Sequence, residues 1–113
     1  PARAAKPSSM DTLSRLAATI AARRSADPEE SWVARLNARG VPVIARKLGE
    51  EAVETVVAAL SGSREELVGE AADLMFHLLV LLDAKGIGLD EVLAELDRRE
   101  GTSGIAEKAS RSQ

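Results

Sequence analysis

Glu50, Glu51 and Glu54 stand at i, i+1 and i+4, with Lys47 one turn ahead of them. At roughly 100° per residue the four side chains of such a set fall within an arc of about 100° on one helix face. Farther on, Glu70, Asp73 and His77 are spaced i, i+3 and i+7, again one stripe of a helix. Between the two sets lies Ser61-Gly62-Ser63, a turn signal. If Gly62 is the pivot of an antiparallel hairpin, positions equally far from it are level. Glu54 then faces Glu70, Glu51 faces Asp73, and Lys47 meets His77. Facing carboxylates repel, so a fold that brings them together calls for a cation between them. Oxygen donors with no cysteine and a single histidine suit Mg²⁺ or Mn²⁺ rather than Zn²⁺. Such an ion meets its protein through a few carboxylates plus substrate phosphates, so the expected chemistry is attack of water on a phosphate chain.

Each residue also has a plainer reading. Glu pairs at i, i+4 are common on solvated helix exteriors. Lys47 has Glu51 as an intrahelical partner at i+4, His77 serves as a satisfied structural histidine, and lone Trp32 serves as a core or interface anchor before a base-stacking platform.

The elements that would position these residues are helical throughout. The chain has 113 residues, 45% hydrophobic but only 2% aromatic, and its apolar content is mainly Ala, Leu and Val, which fits one all-α domain. Net charge is −3 with both signs interspersed, which argues against nucleic acid as the main partner. The absence of cysteine removes disulfides and thiolate sites. The longest apolar run, Leu78 to Leu82, is far short of the ~20 residues of a membrane span, and no signal-peptide core follows the basic opening. A cytoplasmic protein is expected.

In chain order, residues 1–8 read as a disordered extension, 9–100 as the helical domain and 101–113 as a mobile tail. A first helix capped at Ser8 or Ser9 presents Leu13, Leu16, Ala17, Ile20 and Ala21. Asp27-Pro28-Glu29-Glu30 predicts a second helix start, leading to Trp32, Val33 and Leu36 and ending near Gly40. Pro42 opens a third helix to about Leu60, with an apolar face of Ile44, Leu48, Ala52, Val53, Val56 and Leu60, broadened by Val57. Gly49 within it costs about 1 kcal/mol against Ala, which a close helix contact or a ligand near the backbone would explain. Ser63-Arg64-Glu65-Glu66 is a capping box for the fourth helix. From Ala71 to Leu82 that helix is apolar apart from Asp73 and His77, so it needs cover on all sides, and a two-fold homodimer through residues 63–84 would supply it. A last short helix from Asp90 to about Glu100 turns Val92, Leu93 and Leu96 inward. The expected architecture is an antiparallel helical hairpin core assembling into a helical-bundle homodimer.

The spacing Glu50-Glu51-x-x-Glu54 followed by Glu70-x-x-Asp73 resembles the EExxE…ExxD signature of the all-α nucleoside triphosphate pyrophosphatases. The strings SWVARL at 31–36, KLGEEAVE at 47–54, EAADLMFHLLVLL at 70–82 and GTSGIAEKASR at 101–111 narrow the resemblance to the phosphoribosyl-ATP pyrophosphohydrolase family. Trp32 and Phe76 depart from it where Tyr is usual, and the stretch before Met10 lies outside the pattern. The resemblance implies Mg²⁺-dependent hydrolysis of phosphoribosyl-ATP to phosphoribosyl-AMP and pyrophosphate, the second step of histidine biosynthesis, in a helical dimer. It implies Glu50, Glu51, Glu54 and Asp73 as metal ligands, with Glu70 as a further ligand or supporting acid and one of these acids as base. It also implies Lys47 as a phosphate contact, and Arg98, Arg99, Lys108 and Arg111 closing over the substrate. The cyclohydrolase of the next step, often fused to this activity, is expected as a separate protein. The alternatives are a pyrophosphatase of dUTP or modified nucleotides, and a non-catalytic helical dimer that binds other proteins.

Overall fold

The computed structural model describes residues 9–100 and Lys108, with side chains from Thr12 onward. The expected extension at 1–8, the Ser8 cap, Arg111 and the rest of the tail lie outside the described residues. Among the described residues 9–100 five helices follow one another: α1 (Ser9–Arg23), α2 (Trp32–Arg39), α3 (Val41–Ser61), α4 (Arg64–Ala84) and α5 (Leu89–Glu100). There is no strand among the described residues, and the all-α class holds. No helix is long and apolar enough to cross a membrane among the described residues.

Among the described residues the hairpin of α3 and α4 is the most extensive packing. Its turn is built from local hydrogen bonds. Gly62 N–H donates to the Ala58 carbonyl at 2.9 Å and closes α3. Ser63 then opens α4 through the expected capping box: its N–H donates to Glu66 Oε1 at 3.0 Å, and Glu66 N–H donates back to Ser63 Oγ at 3.1 Å. Hydrogen bonding from the Ser63 backbone N–H, then from the Ser63 side chain, holds the Glu66 carboxyl below its ordinary range. A Cβ on Gly62 would stand 3.0 Å from the Ala58 carbonyl oxygen, which is why this position is glycine. At the other end of α4, Lys85 caps the helix and Gly86 takes a positive φ of 72°.

The second helix starts later than Asp27-Pro28 predicts. Asp27 caps a turn instead, its Oδ1 accepting from Glu29 N–H and its carbonyl from Glu30 and Ser31 N–H. Ser31 becomes the N-cap, its Oγ accepting from Ala34 N–H. Two residues compete to cap here. The winner is the one whose following residues, Val33, Ala34 and Leu36, are buried.

Ile20 of α1, Val33 and Leu36 of α2, Ile44 of α3 and Leu79 and Val80 of α4 form the core, with Leu13, Leu16, Phe76 and Leu89 packed around it. It sits at the open end of the hairpin, where α1 and α2 cross it. Arg24 pins α1 to the end of α4 through a two-pronged contact with Asp83, Nε to Oδ2 at 2.8 Å and Nη2 to Oδ1 at 2.7 Å. The turn end carries Val53, Val56, Val57, Leu60 and Val68 exposed, and Met75 and Leu78 of α4 are open as well. The apolar face expected on α3 therefore exists but is buried within the chain only at Ile44 and in part at Leu48 and Ala52, while Ala58, outside that expected face, is buried too. Leu96, expected inward, is 55% exposed, while Val92 and Leu93 are half-buried. No close helix contact stands over Gly49: a Cβ there meets nothing within 4 Å.

Candidate functional site

Residues 44, 51 and 58 recur every seventh position, so they form the stripe of α3 that presses on α4. Two of them are Ile44 and Ala58; the third is Glu51, 9% exposed. A carboxylate thus occupies a core position. Burying a charge without a partner is strongly unfavourable. Glu51 Oε2 nonetheless has no hydrogen-bond partner. Around it, one carboxylate oxygen each from Glu51, Glu70 and Asp73 lie within 4.8 Å of one another. Glu54 completes the group, close enough to raise the carboxyls of both Glu51 and Glu70. The expected level pairs, Glu51 with Asp73 and Glu54 with Glu70, therefore meet across the hairpin.

Like charges at this separation resist ionisation. Burial, then Glu54 and Asp73, raise the Glu51 carboxyl above its ordinary range, with His77 acting in the opposite sense. Glu70 is raised chiefly by its hydrogen bond with Glu54, then by burial and by the charges of Glu54, Glu51 and Asp73. Both groups bind protons more tightly folded than unfolded. The metal-free chain therefore loses stability as pH rises from the ordinary carboxylate range through the raised values. Glu95, lowered to about 2 by Arg98 and Arg99, works the other way, its contribution disappearing as pH falls towards that value. Thermal melts in chelator should accordingly place wild-type stability higher at about pH 5 than at about pH 8, relative to a Glu51→Gln control that lacks the titrating acid. A divalent cation held between these carboxylates would close that gap by taking the place of the protons.

His77 is buried at 6% exposure. Its Nδ1 lies 2.9 Å from the Asp73 carbonyl, an oxygen that only accepts, so Nδ1 carries the proton. Nε2 is buried without a partner. Lys47 and His77, level with each other about the turn, both lie beside one indole. Trp32 stands edge-to-face with His77 at 6.5 Å between ring centroids, and Lys47 Nζ lies 5.9 Å from the Trp32 centroid. Sequence reasoning left Trp32 as a packing anchor; its level on α2 relative to the hairpin is a tertiary fact that no spacing in the chain encodes.

The remaining expected residues are placed as follows. Glu50 is outside the three-carboxylate group; its Oε1 lies 3.7 Å from Lys47 Nζ, so the lysine's partner is the i+3 glutamate rather than Glu51. Arg98 and Arg99 both bind Glu95, at 2.7–3.0 Å and 2.8 Å, and are held on α5 by it. Lys108 is exposed. A groove of about 540 Å³ opens beside the acids and runs towards the turn, between Glu54, Glu70 and Asp73 at one end and Ser61, Gly62 and Glu66 at the other. Its middle is apolar, formed by Val53, Val57 and Ala58. An acidic pocket of this kind repels a phosphate chain unless a cation is shared between them.

The donor set fits a hard cation: oxygen atoms only, from two rigid helices, one of them buried and unsatisfied. Comparison with known proteins points the same way. The phosphoribosyl-ATP pyrophosphohydrolase family model matches residues 13–100. The chain is 72% identical over 102 residues to the phosphoribosyl-ATP pyrophosphatase of Erythrobacter litoralis, covering 90% of this chain and 98% of that protein. It is 69% identical to the protein of the same name from Novosphingobium aromaticivorans, with 90% and 95% covered. With that of Rhodobacter capsulatus the identity is 62%, with 90% and 99% covered.

Proposed function

The chain belongs to the phosphoribosyl-ATP pyrophosphohydrolase family, and we propose that it hydrolyses 1-(5-phosphoribosyl)-ATP to 1-(5-phosphoribosyl)-AMP and pyrophosphate in histidine biosynthesis. The observation that carries this reading at the level of the site is Glu51, a carboxylate in a core position with one oxygen unsatisfied and two further carboxylates beside it.

Glu51, Glu70 and Asp73 would hold the ion, with Glu54 supporting them, and we assign it as Mg²⁺, with Mn²⁺ an effective substitute. When bound, such an ion neutralises phosphate charge and makes a coordinated water more acidic. The chain's own residues do the rest. The rigid α3–α4 hairpin holds the carboxylates on one side of the phosphate chain. Glu54, which raises the carboxyls of Glu51 and Glu70 and so stands beside both, would take the proton from the attacking water. The water oxygen bonds to phosphorus as the anhydride bond between the α- and β-phosphates breaks, and pyrophosphate leaves. Lys47, held near the acids by Glu50, supplies positive charge to a phosphate. Arg98 and Arg99 share the single carboxylate of Glu95, which leaves these three side chains with a net positive charge for a phosphate. Turnover with Mg²⁺ on phosphoribosyl-ATP, measured beside dUTP and ATP, tests the reading. Higher kcat/KM on phosphoribosyl-ATP is expected, and higher efficiency on the ordinary triphosphates would overturn it.

The exposed apolar residues of the hairpin, Val53, Val56, Leu60, Met75 and Leu78, form a face that we assign to a second copy, giving the homodimer through α4. Leu78→Glu should convert the dimer to a monomer in sedimentation velocity, and a parent that already sediments as a monomer would contradict the assignment. The place of work is the cytoplasm, where the soluble intermediates of the pathway are made and used.

A further inference from the structure

Trp32 is the single tryptophan of the chain and stays 40% exposed although Val33, Ala34 and Leu36, which follow it, are buried. Its ring is held in place. The edge-to-face contact with His77, at 84° between planes, fixes its orientation, and Phe76 packs in turn on His77 at 5.2 Å. Lys47 stands one turn before Glu51 on α3, and His77 stands one turn after Asp73 on α4. The indole they flank is therefore about one helical turn, roughly 5 Å along both arms, from the carboxylates. A ribose spans a comparable distance between a base and its α-phosphate.

The face of this ring already takes a cation. Lys47 Nζ lies 5.9 Å from its centroid, within the range at which the indole quadrupole attracts positive charge. Phosphoribosyl-ATP differs from ATP by its substituent on N1 of adenine. Alkylation at that nitrogen makes the ring a stronger base than adenine, so near neutral pH it carries positive charge on a flat aromatic surface. ATP offers the same surface without the charge.

We propose that Trp32 is a specificity-determining residue whose indole face receives the cationic N1-substituted adenine ring of phosphoribosyl-ATP and prefers it to the neutral adenine of ATP. Lys47, a flexible side chain shared between the indole and Glu50, yields its place over the ring and turns to the phosphates. This rests on the reaction assigned above and names the feature of the substrate that the site reads.

Two experiments on the full chain test it. Because Trp32 is the only tryptophan, intrinsic fluorescence reports on this position alone. At neutral pH with Mg²⁺, 1-methyladenosine 5′-monophosphate should quench it at a concentration about ten-fold lower than AMP does. Equal quenching by the two nucleotides, or none, would overturn the proposal. In steady-state kinetics, Trp32→Ala should raise KM for phosphoribosyl-ATP about ten-fold with kcat nearly unchanged, and Trp32→Phe should fall between it and the parent. If Trp32→Ala folds poorly or changes its assembly, Trp32→Phe and the parental titration decide. An active parent whose Trp32 variants keep the parental KM defeats the selection role and leaves the reaction standing. A parent inactive on phosphoribosyl-ATP defeats the assigned reaction, and this role with it.

Discussion

Glu51→Gln should remove hydrolysis almost entirely while making the metal-free protein melt at a higher temperature. The two effects have one cause. Glu51 is the buried member of a carboxylate group whose oxygens lie within 4.8 Å of one another, and its Oε2 has no partner in the chain. Without an ion, its charge is opposed by burial and by Glu54 and Asp73. A neutral amide of the same shape relieves that opposition, so the folded state gains. With an ion held as proposed, the same change would take away one of its ligands. Loss of several kcal/mol of charge stabilisation in the transition state corresponds to a fall of about a thousand-fold or more in kcat/KM. Asp73→Asn should behave alike, with a smaller gain in the metal-free melt because Asp73 is exposed. Kinetics on phosphoribosyl-ATP and thermal melts in chelator check both halves. If both variants melt lower than the parent without metal, the carboxylates are not repelling one another as described.

Leu36→Ala has the largest expected effect on folding. Leu36 is fully buried, at 0% exposure, among Ile20, Val33, Ile44, Leu79 and Val80, and so joins four of the five helices. Removing its branched end takes away transfer energy and leaves a cavity that rigid helices fill poorly, about 2–5 kcal/mol in all. Set against a total stability of roughly 5–15 kcal/mol, that is a large share, and for a domain of this size it lowers the midpoint by about 10–25 °C. The core sits at the end of the hairpin that carries Trp32, Lys47 and His77, so weakened packing of α2 should also raise KM at temperatures where the variant is still folded. Circular dichroism melts measure the first effect. A midpoint within a few degrees of the parent would mean that α2 contributes little to the fold.

The hairpin was legible because each signal for it is local. Ser63 and Glu66 bond to each other across three residues, and Gly62 is required by the closeness of the Ala58 carbonyl. Once that pivot is known, helical geometry alone puts Glu51 level with Asp73 and Glu54 level with Glu70. The step from Glu50 to Glu51 was less transparent. Adjacent residues differ by about 100° around a helix, so only one of such a pair can face the opposite arm. The structure turns Glu51 inward and leaves Glu50 to Lys47. The ties of Arg98 and Arg99 to Glu95 are present in the sequence as i+3 and i+4 spacings. Two features had no local signal. The start of α2 depends on which of Asp27 and Ser31 precedes the residues that the core buries, and the contacts of the Trp32 indole with Lys47 and His77 depend on how α2 crosses the hairpin. Exposed Val53, Val56 and Leu60 show the converse case: helical periodicity marks a face as apolar without saying whether this chain or another covers it.

The most direct measurement is diffraction from crystals soaked in Mn²⁺, with anomalous differences collected to locate the ion. The expected result is an anomalous peak between the side chains of Glu51, Glu70 and Asp73, with Glu51 Oε2 among its ligands. Crystals that keep the hairpin intact and show manganese only elsewhere, or none at all, would contradict the claim that these helices bring their carboxylates together around a cation.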